Sequence, residues 1–177
     1  LGEAPGTREY SLTPAAYGEF LCRLFDLWYQ DWMAGTPVSI RQFDNYIQMM
    51  LGYPPESCGM SGICARQNVV EADGGVYPCD FYVLDKYRLG NYNSESIQEL
   101  LGTENAADFV KESRKLCEDC HNCEWYSLCR GGCRRHRVKD KESGLYKNYF
   151  CESYKAFFGQ CGGRMKEIAA FMSDKKR

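Results

Sequence analysis

Apolar residues first recur at helical spacing between residues 13 and 34. Tyr17, Phe20, Leu21, Leu24, Phe25, Trp28 and Trp32 would cover one face of such a helix. Thr13 suits its N-cap, Pro14 its first turn, and Gly35 follows its end. "PVSIRQF" then reads as a short strand with Val38 and Ile40 on one face, leading into a helix over residues 44–51 stopped by Gly52 and Pro54-Pro55. One strand does not make a sheet. Residues 1–50 are therefore expected to be the last piece of a larger α/β domain.

After Pro55 the pattern changes. "NVVEADGGVYPC" predicts two short strands around Asp73-Gly74, a pair suited to a tight hairpin turn. Helices are predicted over 96–101 and 104–116, followed directly by a cysteine-rich stretch. Helical spacing returns over 152–171 through Tyr154, Phe157, Phe158, Met165, Ile168 and Phe171, with Gly162-Gly163 expected to kink or split that helix. The expected fold class is α+β in three parts: 1–50, 51–151 and a helical tail over 152–177.

Composition narrows the function. Hydrophobic residues at 44% and aromatics at 14% suffice for a packed core and exclude global disorder. A net charge of −2 argues against a nucleic-acid partner. No apolar run approaches the roughly 20 residues that span a bilayer, so no membrane partner is expected. "LGEAPGTREY" lacks the basic and apolar regions of a signal peptide, and the expected location is cytoplasmic. Without an initiator Met, the chain is expected to be part of something longer. Eleven cysteines, an odd number, in a chain with no export signal point away from disulfides and toward metal.

The cysteines are spaced for that role. From Cys120 the pattern is C-x2-C-x5-C-x3-C through Cys123, Cys129 and Cys133, then seventeen residues to Cys151. Upstream, five residues separate Cys58 from Cys64, and Cys64 reaches Cys79 through C-x9-G-x4-C. Setting aside Cys22, Cys117 and Cys161 leaves eight, two complete sets of four thiolates. All-sulfur tetrahedral ligation leaves zinc or iron–sulfur. The wide gaps and the isolated Cys151 favour a larger cuboidal cluster, approached from several directions. Arg130, Arg134, Arg135 and Arg137 would offset cluster charge and tune its potential; a solvated basic loop is the plainer reading of any one of them.

The full pattern, carried by Cys64, Gly74, Cys79, Cys120, Cys123, Cys129, Cys133 and Cys151, resembles the SPASM domain of radical SAM enzymes. The extra Cys58, the "VYPCDFYV" segment and "SLCRGGCRRHR" resemble anaerobic sulfatase-maturating enzymes within that group, as does "SIRQFDNYIQMMLG" less specifically. The resemblance implies a cluster-binding domain preceded by the last elements of a radical SAM barrel. It also implies two [4Fe-4S] clusters, one on Cys58, Cys64, Cys79 and Cys133, the other on Cys120, Cys123, Cys129 and Cys151. Cys117 is spare in this scheme.

The activity so implied is oxidation of a Cys or Ser in a sulfatase, within a C/S-x-P/A-x-R motif, to Cα-formylglycine. Asp80 matches the family's proposed base, and the auxiliary clusters would accept the electron that leaves the substrate. The family's C-x3-C-x2-C loop, which holds a third [4Fe-4S] cluster and S-adenosylmethionine, has no counterpart in this sequence. The chain is therefore expected to be inactive alone, its cofactor site lying in an absent N-terminal half. An external reductant such as flavodoxin or ferredoxin is a further implied partner. Two other readings stand beside this one: a maturase of another ribosomal peptide, and a non-enzymatic zinc-binding interaction module. Tyr77, Tyr82 and Arg41 are weak candidates for a peptide groove, and His121 and His136 read as loop residues.

Overall fold

A computed structural model describes residues 4–174; positions 175–177 of the expected tail lie outside the described residues. Helix α1 spans Pro14–Met33, with the Thr13 side chain accepting from the Ala16 N–H at 3.2 Å. Leu21, Cys22, Phe25 and Trp28 form its buried face. Phe20 departs from the expected stripe: it is 54% exposed.

The expected strand at 37–43 is not there. Those residues find no strand to pair with; instead the Trp28 indole Nε1 donates to the Val38 carbonyl at 2.7 Å. The Ile40 carbonyl accepts from Phe43 and Asp44 as the first bonds of helix α2, Arg41–Met50. An extended stretch followed by a helix start copies a strand's alternation over four residues, and only a partner would tell the two apart.

Helix α7, Cys151–Asp174, comes back against both. Gly18 admits it closely: a Cβ there would stand 3.2 Å from Ser153 Cα. Phe25, Phe43, Phe157 and Phe158 fill the centre, with Phe25–Phe43 at 5.3 Å edge-to-face and Phe43–Phe157 stacked at 5.7 Å. Gly162-Gly163 does not break α7. Gly162 instead faces the Trp125 ring, 3.4 Å from where a Cβ would sit.

Between α2 and α7 the chain is mostly loop. Strands β1 (Val69–Val70), β2 (Gly75–Tyr77) and β3 (Gly90–Asn91) form an antiparallel sheet in sequence order, with Val70 opposite Val76 and Val76 opposite Gly90. Gly74 turns the β1–β2 hairpin at φ +80°, where a Cβ would strike the Asn93 and Asn91 side chains. Helices α3 (Ile97–Leu101) and α4 (Glu104–Glu112) follow, capped by Ser96 and Thr103. Val76, Leu89, Leu100 and Ala106 make a small second core under the sheet.

Helix α4 ends four residues short of the expected 116. The chain there forms a parallel bridge between Leu116 and Tyr146, on strand β5 (Tyr146–Asn148), which pairs with β4 (Arg137–Lys139). Two single-turn helices, α5 (Glu118–His121) and α6 (Tyr126–Cys129), carry the cysteine-rich stretch. The architecture is α+β, and no described helix is long and apolar enough to cross a membrane.

Candidate metal centres

Four cysteines, Cys58, Cys64, Cys79 and Cys133, line one cavity. Cys58 opens a 3₁₀ turn and is the most exposed of the four. Gln67 Nε2 lies 3.4 Å from its sulfur, while the Gln67 N–H donates to the Pro78 carbonyl at 2.8 Å. The loop carrying Cys58 is thereby tied to the strand that delivers Cys79. Cys64 is fixed by Ser113: the Cys64 N–H donates to Ser113 Oγ at 3.0 Å, and that hydroxyl donates to the Val110 carbonyl at 2.6 Å. Ser113 is fully buried at the end of α4.

A second cavity is lined by Cys120, Cys123, Cys129 and Cys151, with Lys147 and Lys155 at its edge. Cys151 is the first residue of α7, so this cage is anchored directly to the helical core. The Cys117 N–H donates to the Tyr146 carbonyl at 3.0 Å, holding α5 against β5. Beside Cys151, the Lys155 ammonium is held above its usual pKa range.

The turn between Cys129 and Cys133 divides the two sets. Arg130, Gly131 and Gly132 take φ of +49°, +75° and +60°, three consecutive left-handed residues. A Cβ on Gly132 would lie 2.3 Å from Asn148 Nδ2; glycine is required there on both counts. The buried Asn148 holds the turn, donating to the Gly131 carbonyl at 3.1 Å. This reversal lets Cys129 serve one cavity and Cys133 the other.

The donor set of each cavity, four thiols, fits all-sulfur ligation of a metal or an iron–sulfur cluster. Burial pushes Cys79 and Cys120 up to about 12 and Cys129 up to about 11, and raises Cys64 and Cys151. Such thiols stay protonated until a metal displaces the proton.

Asp80 lies on the wall of the first cavity, exposed, with the Cys79 thiol donating to its Oδ1 at 3.2 Å and the Phe81 N–H to the same oxygen at 3.1 Å. Tyr82 shares that wall, whereas Tyr77 is buried in β2 and Arg41 sits beside Glu56 at 4.0 Å on α2. His121 lies tilted beside the Tyr126 ring and His136 stands edge-on to Phe150; neither lines a cysteine cavity. Cys117 stays outside both cavity linings, its sulfur 3.5 Å from Cys120. Cys22, isolated in sequence, meets Cys161 between α1 and α7, thiol to thiol.

The four arginines separate in space. Arg134 is buried over the Phe109 ring at 4.7 Å and donates to the Phe109 carbonyl at 3.0 Å, while Arg135 lies exposed over Phe81 at 4.1 Å. Arg130 bonds only locally, to the Ser127 carbonyl at 3.0 Å. Ser113, Asn148 and Gln67 are supports that sequence reading did not find. Each is an ordinary polar residue whose partner lies far along the chain, and no local pattern marks such a residue.

Residues 62–124 match the family model for the SPASM iron–sulfur cluster-binding domain. The cysteine-type anaerobic sulfatase-maturating enzyme of Clostridium perfringens (strain 13 / Type A) is 49% identical over 169 residues, covering 96% of this chain and 46% of the relative. The serine-type enzyme of Bacteroides thetaiotaomicron is 31% identical over 161 residues, covering 89% of this chain and 38% of the relative. The solved structure of native anSMEcpe with bound AdoMet and Cp18Cys peptide superposes with a TM-score of 0.90 at 48% identity, over 97% of this chain and 48% of that one. The chain thus spans less than half the length of the relatives it matches. Residues 62–124 are thus similar to a SPASM iron–sulfur cluster-binding domain, and nearly the whole chain is similar to part of an anaerobic sulfatase-maturating enzyme.

Proposed function

We propose that this chain is the auxiliary-cluster portion of a radical SAM maturase that oxidises a Cys or Ser of a sulfatase to formylglycine. The observation carrying the proposal is the sorting of eight cysteines into two cavities of four, with one carboxylate, Asp80, on the wall of the first. In this reading Cys58, Cys64, Cys79 and Cys133 hold one [4Fe-4S] cluster, and Cys120, Cys123, Cys129 and Cys151 hold the other. When bound, such clusters supply a route for the electron released as the substrate is oxidised. Full cysteine ligation suits that role, since it leaves no iron open to substrate.

The protein's own contributions are ligation and proton handling. Asp80 Oδ1 is the acceptor for the substrate thiol or hydroxyl proton. It lies within hydrogen-bond reach of the Cys79 sulfur, so proton loss and electron loss occur side by side. S-adenosylmethionine, a third [4Fe-4S] cluster and the radical chemistry belong to a barrel that this chain would complete; by itself the chain would not turn over. The substrate is a sulfatase segment with the C/S-x-P/A-x-R motif, in keeping with the Cp18Cys peptide bound in the anSMEcpe structure. A flavodoxin or ferredoxin would supply reducing equivalents, and the cytoplasm is the compartment that suits reduced thiols. The identity to the Clostridium perfringens enzyme, well above that to the serine-type relative, favours cysteine as the residue oxidised.

The test is the iron, sulfide and zinc content of the anaerobically reconstituted chain. About eight irons with matching sulfide are expected; two zincs without iron would overturn the redox role. In an enzyme completed by its barrel, Asp80→Asn is expected to lower formylglycine yield by about 100-fold or more, the usual scale of a lost general base, with cofactor cleavage retained. Wild-type product yield from that variant would remove Asp80 from the reaction.

A further inference from the structure

Arg137 is unlike the other arginines of the cysteine region. It is only 6% exposed, at the start of β4, and its guanidinium donates to four backbone carbonyls. Nε donates to Gly131 at 2.9 Å, Nη1 to Ser113 at 2.5 Å, and Nη2 to both Gly62 at 2.9 Å and Gly132 at 2.6 Å. Gly62 and Gly132 line the first cysteine cavity, Gly131 lines the second, and Arg137 itself lies on the wall of the first. Among the described residues no carboxylate pairs with it. Carbonyl dipoles orient a buried cation but do not neutralise it. Cys64 and Cys133 share the wall of the first cavity with Arg137, whereas Arg137 is absent from the lining of the second.

We propose that Arg137 is a positioning charge shared by the two cages, sited to make the first cluster the easier of the two to reduce. The inference rests on the reading of both cages as iron–sulfur sites. A fixed positive charge stabilises the more negative, reduced state of any neighbouring cluster, and the effect grows as distance falls. Nearer the cage that carries Asp80, Arg137 raises that potential more than its neighbour's. The substrate electron is thereby drawn first to the cluster beside the base. Arg134, also buried on the first wall, adds to the same bias but reaches no carbonyl of the second cage. Its guanidinium is spread over three aromatic rings instead.

The experiment is a potentiometric titration, followed by electron paramagnetic resonance, of the anaerobically reconstituted chain and its Arg137→Gln, Arg137→Lys and Arg130→Gln variants. Arg137→Gln is expected to make both couples more negative, the first cage's by more, so that the first-to-second reduction ratio falls severalfold. Arg137→Lys keeps the charge with fewer carbonyl bonds and is expected to hold the wild-type ratio. Arg130→Gln, on a side chain that lines neither cavity, is expected to shift the couples by less than Arg137→Gln does and not to lower the first-to-second ratio. A fully loaded Arg137→Gln chain with the wild-type ratio would overturn the inference and leave the cluster reading intact. If the Gln variant fails to take up iron, the Lys variant decides: a wild-type ratio supports the charge role, and a collapsed ratio overturns it. A wild-type chain that binds zinc and no iron would instead bring down the cluster reading, and this inference with it.

Discussion

The helical core and the cysteine region are held together by different physics. In the core, α1, α2 and α7 bury Phe25, Phe43, Phe157, Phe158 and Met165 almost completely, ring against ring. Residues between α2 and α7 bury only four side chains as a cluster of their own, on strands of two or three residues. Their order comes from polar ties: Ser113 to Cys64, Asn148 to Gly131 and Arg137 to four carbonyls. Apolar burial stabilises roughly in proportion to area, whereas such ties contribute about 1 kcal/mol each after exchange with water. The cysteine region is therefore expected to depend on a bound group for its stability, and the helical core is expected not to. Cys151, shared between α7 and the second cage, is the joint between them.

Removing the clusters is the strongest way to break this contrast. Anaerobic chelation of a reconstituted chain is expected to leave α1, α2 and α7 slow to exchange amide hydrogens. Protection over residues 58–150 is expected to fall toward that of open loops, because metal-binding free energy is folding free energy where a site is not otherwise held. Equal loss in both regions would show that the helical core depends on the cages after all.

Phe157→Ala tests the other side. Phe157 is fully buried and touches the rings of Phe25, Phe43 and Tyr46. Its truncation is expected to cost about 3–5 kcal/mol, measured by denaturant unfolding of the loaded chain. Iron content is expected to stay at the wild-type level at low denaturant. A variant that folds normally but loses its iron would mean that the two regions are one cooperative unit.

A smaller effect follows from the cysteine pair inside the helical core. Burial drives Cys161 up to about 12 and also raises Cys22, so both thiols are held neutral in the fold. An unfolded thiol, at its ordinary value of about 9, loses its proton at lower pH than the folded one. The unfolded state then binds fewer protons between about 9 and 12, so stability declines across that window and is whole below it. Cys161→Ala is expected to flatten the decline, as read from unfolding midpoints against pH. A slope unchanged by that variant would place the titration elsewhere.

How far these regions could be read from sequence follows the same division. The aromatic spacing of α1 and α7 carries its own signal, and so does Thr13 as a cap, because a helix meets its core every third or fourth residue. The sorting of eight cysteines was legible only through the resemblance of the whole pattern to a known domain; spacing by itself left zinc and iron–sulfur both open. What stayed hidden is non-local. The β4–β5 hairpin depends on Arg137 and Asn148 reaching back to the Arg130–Gly132 turn, and the apparent strand at 37–43 meets the Trp28 indole and the start of α2 where a strand would need a partner. Gly162-Gly163 reads as a breaker, yet its first glycine makes room for Trp125.

The smallest expected effect concerns Cys117, the ninth thiol of a region in which eight line the two cavities. It stands at the N-cap of α5 with extended backbone dihedrals and no side-chain capping bond, its sulfur 3.5 Å from that of Cys120. Nearness to Cys120 makes it a possible substitute ligand; exclusion from the second cavity's lining makes it a bystander. Serine separates the two. Its hydroxyl is a far better cap than a thiol, so Cys117→Ser is expected to leave all the iron in place and stabilise the loaded chain by up to about 1 kcal/mol. Loss of half the iron would make Cys117 a ligand, displace one of Cys120, Cys123, Cys129 or Cys151 from the second cage, and reopen the division of the cysteines into two sets of four.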